Sequence, residues 1–132
     1  MITLNPCNVV AIRCWWGEHW GIVALDQYGR TTIISNRGAK SGVTEELWND
    51  VVGDAKWRIV NELSSDMPAY FVIDRARSMI GTRYDFLKWN CQDFVYWALC
   101  LQPQSPQREA FVGTVLAALA ISFVVKLSAN NS

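Results

Sequence analysis

The hydrophobic pattern of this chain changes period once, near residue 65, and that change limits the folds open to it. Before it, short apolar runs rich in β-branched residues alternate with turn residues, the pattern of strands. After it, apolar residues recur three and four apart, the pattern of helices. Residues 9–13 (VVAIR), 19–25 (HWGIVAL), 30–36 (RTTIISN) and 56–63 (KWRIVNEL) are predicted strands. Asp26-Gln27-Tyr28-Gly29 is a turn signal that joins the second and third as an antiparallel hairpin, with Gly29 free to take a positive φ. Residues 37–42 (RGAKSG) read as a loop. Thr44, Glu45 and Glu46 read as the opening of a helical turn over Leu47 and Trp48, with the acids at its positive end.

Beyond the change, Ser65-Asp66-Met67-Pro68 is a helix-start signature. The helix it opens carries Phe71, Val72, Ala76, Met79 and Ile80, with Gly81 at its stop. A second helix over residues 92–101 follows Asn90 and places Phe94, Val95, Ala98 and Leu99 on one side. Pro103 and Pro106 then mark a linker, and residues 110–125 (AFVGTVLAALAISFVV) run without a charge up to Lys126. As a helix that run spans roughly 24 Å, against the roughly 30 Å of a bilayer core. It therefore either packs on the domain or lies in, or spans, a thinned membrane, and Gly113, Ala117, Ala118 and Ala120 allow close helix contacts within it. Strands first and helices after give an expected α+β fold with a mainly antiparallel sheet. The expected layout is a domain over 1–102, a linker over 103–109, an apolar helix over 110–127 and a tail over 128–132.

Charge and cysteine content remove several function classes. Twelve Lys+Arg balance twelve Asp+Glu. That balance argues against strong direct nucleic-acid binding, which draws on a basic surplus, so Arg58, Arg75, Arg77, Arg83 and Lys88 read as solvated charges. The cysteines Cys7, Cys14, Cys91 and Cys100 form no C-x-x-C pair, and His19 is the single histidine, so no metal site and no cofactor is expected. The N-terminal residues lack a signal-peptide pattern, and reduced thiols in a cytoplasmic compartment are expected.

Among the four thiols, Cys91 stands apart. It follows the capping residue Asn90 and opens a helix, where unpaired N–H groups and the helix dipole favour a thiolate and a lowered pKa. The N–H groups of Cys91 and Gln92 can also receive an oxyanion. A nucleophilic thiol needs a base, and His19 is the one imidazole available. The alternative reading is that Cys91 is a small buried apolar residue, as Cys7, Cys14 and Cys100 read. A Cys–His pair also needs a group to hold the ring, and the hairpin register selects it. A four-residue turn sets His19 opposite Asn36, and a three-residue turn sets it opposite Ser35. Asn36 has the better acceptor, and neither residue is charged. Trp15, Trp16 and Trp20 crowd the entrance of this expected site.

His19-Trp20-Gly21-Ile22, followed by Asn90-Cys91-Gln92-Asp93-Phe94-Val95, resembles the H-box/NC family. That group holds lecithin:retinol acyltransferase, the phospholipase A/acyltransferases and the 2A proteins of some picornaviruses. Ser41-Gly42-Val43-Thr44-Glu45-Glu46, Asp50-Val51-Val52-Gly53 and residues 73–81 extend the similarity through most of the chain, and the late apolar run resembles the acyltransferases' C-terminal anchor. The resemblance implies a circularly permuted papain-like, NlpC-type domain. It implies Cys91 as nucleophile, His19 as base, and acyl transfer through a thioester. In the cellular enzymes a second histidine follows the H-box, where this chain has Ser35 or Asn36, and Gln92-Asp93 replaces their usual Glu-His. Those departures are closer to the picornaviral 2A proteins. They imply a membrane-associated viral accessory protein with residual or no catalysis, peripheral or tail-anchored in the host cytoplasm. Its implied partners are membrane lipids, host membrane proteins and viral replication proteins, with self-association through the C-terminal helix. The alternative implied by the same motifs is a thiol-dependent phospholipase A/acyltransferase acting on membrane lipids.

Overall fold

Strands β1 (Val9–Cys14), β2 (Gly17–Leu25), β3 (Thr31–Asn36), β4 (Val43–Leu47) and β5 (Trp57–Ile59) form one antiparallel sheet in the order β4-β3-β2-β1-β5. Among the described residues, three helices accompany it: α1 (Trp48–Val51), α2 (Ala69–Arg77) and α3 (Cys91–Ala98). The computed structural model describes residues 3–38, 40–63, 65–82 and 90–101. The expected linker over 103–109 and apolar helix over 110–127 lie outside the described residues. Among the described residues, no helix is long and apolar enough to cross a membrane. The fold is α+β, as the change of period predicts.

Alternation sends successive strand residues to opposite faces, and both faces are covered. Val9, Ala11, Trp20, Ile22, Ala24 and Ile34 pack beneath α2 and α3, against Val72, Ile73, Ala76, Phe94, Val95 and Ala98. Val10, Ile12, Val23 and Ile33 face the other way, against Val52 and the partly buried Trp48, Val51 and Trp57. Each fully buried Val, Ile or Phe in these layers contributes about 1.5–3 kcal/mol. Double coverage explains why β2 reads as an almost continuous apolar run rather than a strict alternation.

Several elements differ from expectation, each for a tertiary reason. Residues 43–47 form a strand, not a helical turn, because β3 has an open edge that β4 pairs from Thr32↔Leu47 to Asn36↔Val43. The helical turn begins one residue later, at Trp48. The last predicted strand is cut to Trp57–Ile59, since the ladder with β1 runs out where Val60 N–H donates to Val9 O. Helix α2 starts after Pro68 without a side-chain cap, and Ser65 Oγ donates instead to Leu99 O, tying the start of α2 to the end of α3. It ends at Arg77, so Phe71 and Ile80 stay partly exposed while Val72, Ile73 and Ala76 are buried.

The β2–β3 register departs from both expected turns. Leu25 pairs with Thr31, so residues 26–30 form a five-residue connection. Asp26 causes this: its Oδ1 accepts from the N–H groups of Tyr28 and Arg30, and its Oδ2 holds the Arg30 guanidinium at 2.7 Å. Arg30 is thereby drawn into the loop and out of the strand.

Candidate active site

The site begins at the first residue of α3. Asn90 caps the helix in a reciprocal box: its Oδ1 accepts from Asp93 N–H, and Asp93 Oδ2 accepts from Asn90 N–H. The Asn90 carbonyl also accepts from Phe94 N–H. With the Asp93 and Phe94 donors so taken, the N–H groups of Cys91 and Gln92 remain at the helix start, where they favour the Cys91 thiolate. Asp93 is fully buried, and the carboxylate that sequence alone sets two residues from the thiol is part of this cap.

A third N–H, that of Trp20 on β2, also favours the Cys91 thiolate. Val23 N–H donates to Asn8 O on the β1 side, so alternation turns the Trp20 N–H toward β3. The β2–β3 pairing has already stopped at Ile22↔Ile34. The strands part there, and the start of α3 fills the gap. Cys91 thus sits beside the main chain of the residue next to His19, and α3 packs its Phe94 and Val95 into the layer that holds Trp20.

His19 is buried on the opposite face of β2, across from Ile12. Its Nε2 lies 3.0 Å from Ser35 Oγ, and both side chains are buried. Continuing the observed register sets His19 across from Arg37, so Ser35 is its diagonal neighbour on the same face. Asn36 takes the other face, and its Oδ1 accepts from Gly38 N–H. Gly21 stands between the two partners, and a Cβ there would collide with Ile33 Cγ2 and come within 3.2 Å of Ser35 Cβ. The imidazole and the sulfur are not hydrogen-bonded to each other: the ring meets Ser35.

Electrostatics keep both groups neutral. Burial, and after it the nearby Arg37, lower the His19 pKa from 6.5 to about 4, with Glu46 partly opposing them. Burial raises the Cys91 thiol above its ordinary value, and the N–H groups of Trp20, Gln92 and Cys91 pull the other way without prevailing. The helix start alone predicts a lowered thiol pKa; desolvation reverses the sign. A neutral thiol and a neutral imidazole favour proton transfer during attack over a resting thiolate–imidazolium pair. The other cysteines are also free thiols, with Cys100 exposed and Cys7 and Cys14 half-buried.

Residues 4–102 match the family model of lecithin retinol acyltransferase. The chain belongs to the lecithin retinol acyltransferase family. No curated protein matches the chain. The family match covers the five strands and three helices of the described residues, and so includes His19, Ser35 and Cys91. Family membership brings acyltransferase or phospholipase-like chemistry to the fore and lends no weight to a picornaviral 2A kinship. Sequence reasoning did not find the Trp20 N–H, because a main-chain donor leaves no residue-type signal. The Asn90–Asp93 box did have one, an Asn followed three residues later by an acid.

Proposed function

We propose that this member of the lecithin retinol acyltransferase family is a cysteine-dependent acyltransferase or phospholipase A acting on membrane lipids. The observation that carries the reading is the placement of Cys91 at the capped start of α3, where the main-chain N–H groups of Trp20, Gln92 and Cys91 favour its thiolate, beside the strand that holds His19. As the sulfur attacks an ester carbonyl, His19 is the proposed base for the thiol proton, with Ser35 holding its Nε2. The S–C bond forms, and the carbonyl oxygen takes up charge beside the Cys91 and Gln92 N–H groups. The ester C–O bond then breaks. The lysolipid alcohol leaves with the proton from His19, and an acyl thioester remains on Cys91. Water or an acceptor amine or alcohol attacks the thioester, gives its proton to His19, and restores the thiol. The proposal includes a circularly permuted papain-like arrangement and a C-terminal apolar helix that keeps the domain at a cytoplasmic membrane surface.

The test is incubation of the purified full chain with acyl-labelled phosphatidylcholine, followed by intact-mass analysis. Label on Cys91 and release of lysolipid, both abolished by Cys91→Ala, are expected. Absence of adduct and turnover in the folded protein overturns the reading. A second reading, a membrane-associated binding protein with no turnover, draws on Ser35 in place of the cellular enzymes' histidine and on the neutral, separately bonded thiol and imidazole.

A further inference from the structure

We propose that the β1–β2 hairpin tip, Trp15-Trp16, is a membrane-contact element that seats the mouth of the site on an anionic phospholipid surface. The tip joins Cys14 to its partner Gly17. Trp15 is 96% exposed and Trp16 49% exposed, an adjacent pair of the largest apolar side chains turned to solvent. Indole combines a broad apolar ring with an N–H donor, which suits the headgroup layer, where one part of the ring is dry and the other wet. Two cations flank the tip. Arg13 and Lys56 are both exposed, and Arg13 N–H donates to Lys56 O at 2.9 Å; Lys56 is in no ion pair among the described residues, while Arg13 faces Glu18, whose carboxylate already holds Arg58 at 3.0 Å. Aromatic residues beside a local excess of cations, Arg13, Lys56 and Arg58 against Glu18 and Glu62, match an interface of apolar chains beneath anionic headgroups.

Position separates this tip from the other exposed apolar residues. The Trp16 ring meets the His19 imidazole edge-on, with centroids 6.4 Å apart. A lipid surface touching Trp16 is thus one ring away from the base. At the far end of β2, Leu25 and Tyr28 are also exposed, but the Arg30 guanidinium covers the Tyr28 ring at 5.3 Å, and Arg30 is paired with Asp26. The contact is independent of the apolar run over 110–125. Only its consequence for turnover rests on the acyl-transfer reading above.

The test compares the full-length chain with Trp15→Ser on vesicles of phosphatidylcholine and phosphatidylserine, with and without brominated acyl chains. Bromine quenching of tryptophan fluorescence is expected in the parent and should fall several-fold in Trp15→Ser. It should also weaken in vesicles of phosphatidylcholine alone. Turnover of vesicle lipid should fall several-fold, while turnover of a monomeric short-chain ester stays unchanged. Equal quenching in parent and variant overturns the proposal. So does unquenched parent protein that self-associates through Trp15 in sedimentation. If neither substrate is turned over, the acyl-transfer reading fails, and the quenching comparison still decides the membrane contact.

Discussion

His19 Nε2 and Ser35 Oγ meet at 3.0 Å although their positions do not lie opposite each other on the two strands. The contact is diagonal across the β2–β3 hairpin, in the register set by the five-residue connection that Asp26 holds. Gly21 leaves the space through which it is made.

Ser35 is a positioning residue on the proposed mechanism, so Ser35→Ala should lower kcat by about tenfold to a hundredfold with KM little changed. Loss of one buried hydrogen bond should cost about 1 kcal/mol of stability. Steady-state kinetics alongside urea unfolding separate the two effects. A stability loss with unchanged kcat removes Ser35 from the mechanism.

Gly21→Ala puts a methyl group into Ile33 and against Ser35. Overpacking of this kind costs about 1–3 kcal/mol. It should also push Ser35 away from the ring, so activity should fall further than in Ser35→Ala. The melting temperature and kcat of the two variants, measured side by side, check this.

The buried His19 makes stability depend on pH in a stated direction. Its folded pKa is about 4 against an ordinary 6.5, so between these values the unfolded chain binds a proton that the folded chain refuses. Stability should be full above about pH 6.5 and decline toward pH 4, by about 3 kcal/mol at most. Glu45, held below the usual carboxylate range by Arg77, adds its own loss only below about pH 4.5. The slope between pH 6.5 and 5 therefore belongs to His19, and in denaturant melts it should flatten in His19→Gln.

The resting Cys91 thiol, buried and raised, should react slowly with iodoacetamide near neutral pH, after the exposed Cys100. Mass-resolved labelling over time gives the order. Cys91 labelled first would show that the helix start outweighs desolvation.

Arg77 links α2 to two strands: its Nε and one terminal nitrogen hold Glu45 at 2.8 and 2.9 Å, and that nitrogen also donates to Leu25 O at 2.6 Å. The pair is partly exposed, which screens it, so Arg77→Met should cost only about 1 kcal/mol in thermal unfolding. A loss near zero would mean that the Arg77–Glu45 pair adds nothing to the hold that Val72, Ile73 and Ala76 give α2.

The sequence by itself determined the α+β order, the three longer strands, both long helices and the Asn90 cap. These follow from short-range physics: side-chain period, β-branching and the hydrogen bonds of a helix start. It also marked His19 and Cys91 as the one thiol–imidazole combination open to a helix-borne nucleophile. Tertiary structure decided the rest. Residues 43–47 became a strand because β3 offered an unpaired edge, a fact no local window contains. Ser35 rather than Asn36 met the ring because one carboxylate, Asp26, set the turn length, and a change of one residue in register moves every side chain to the other face. The sign of the Cys91 pKa shift was settled by how deeply α3 seats itself between β2 and β3, because desolvation is a property of the packed site and not of the helix that begins there.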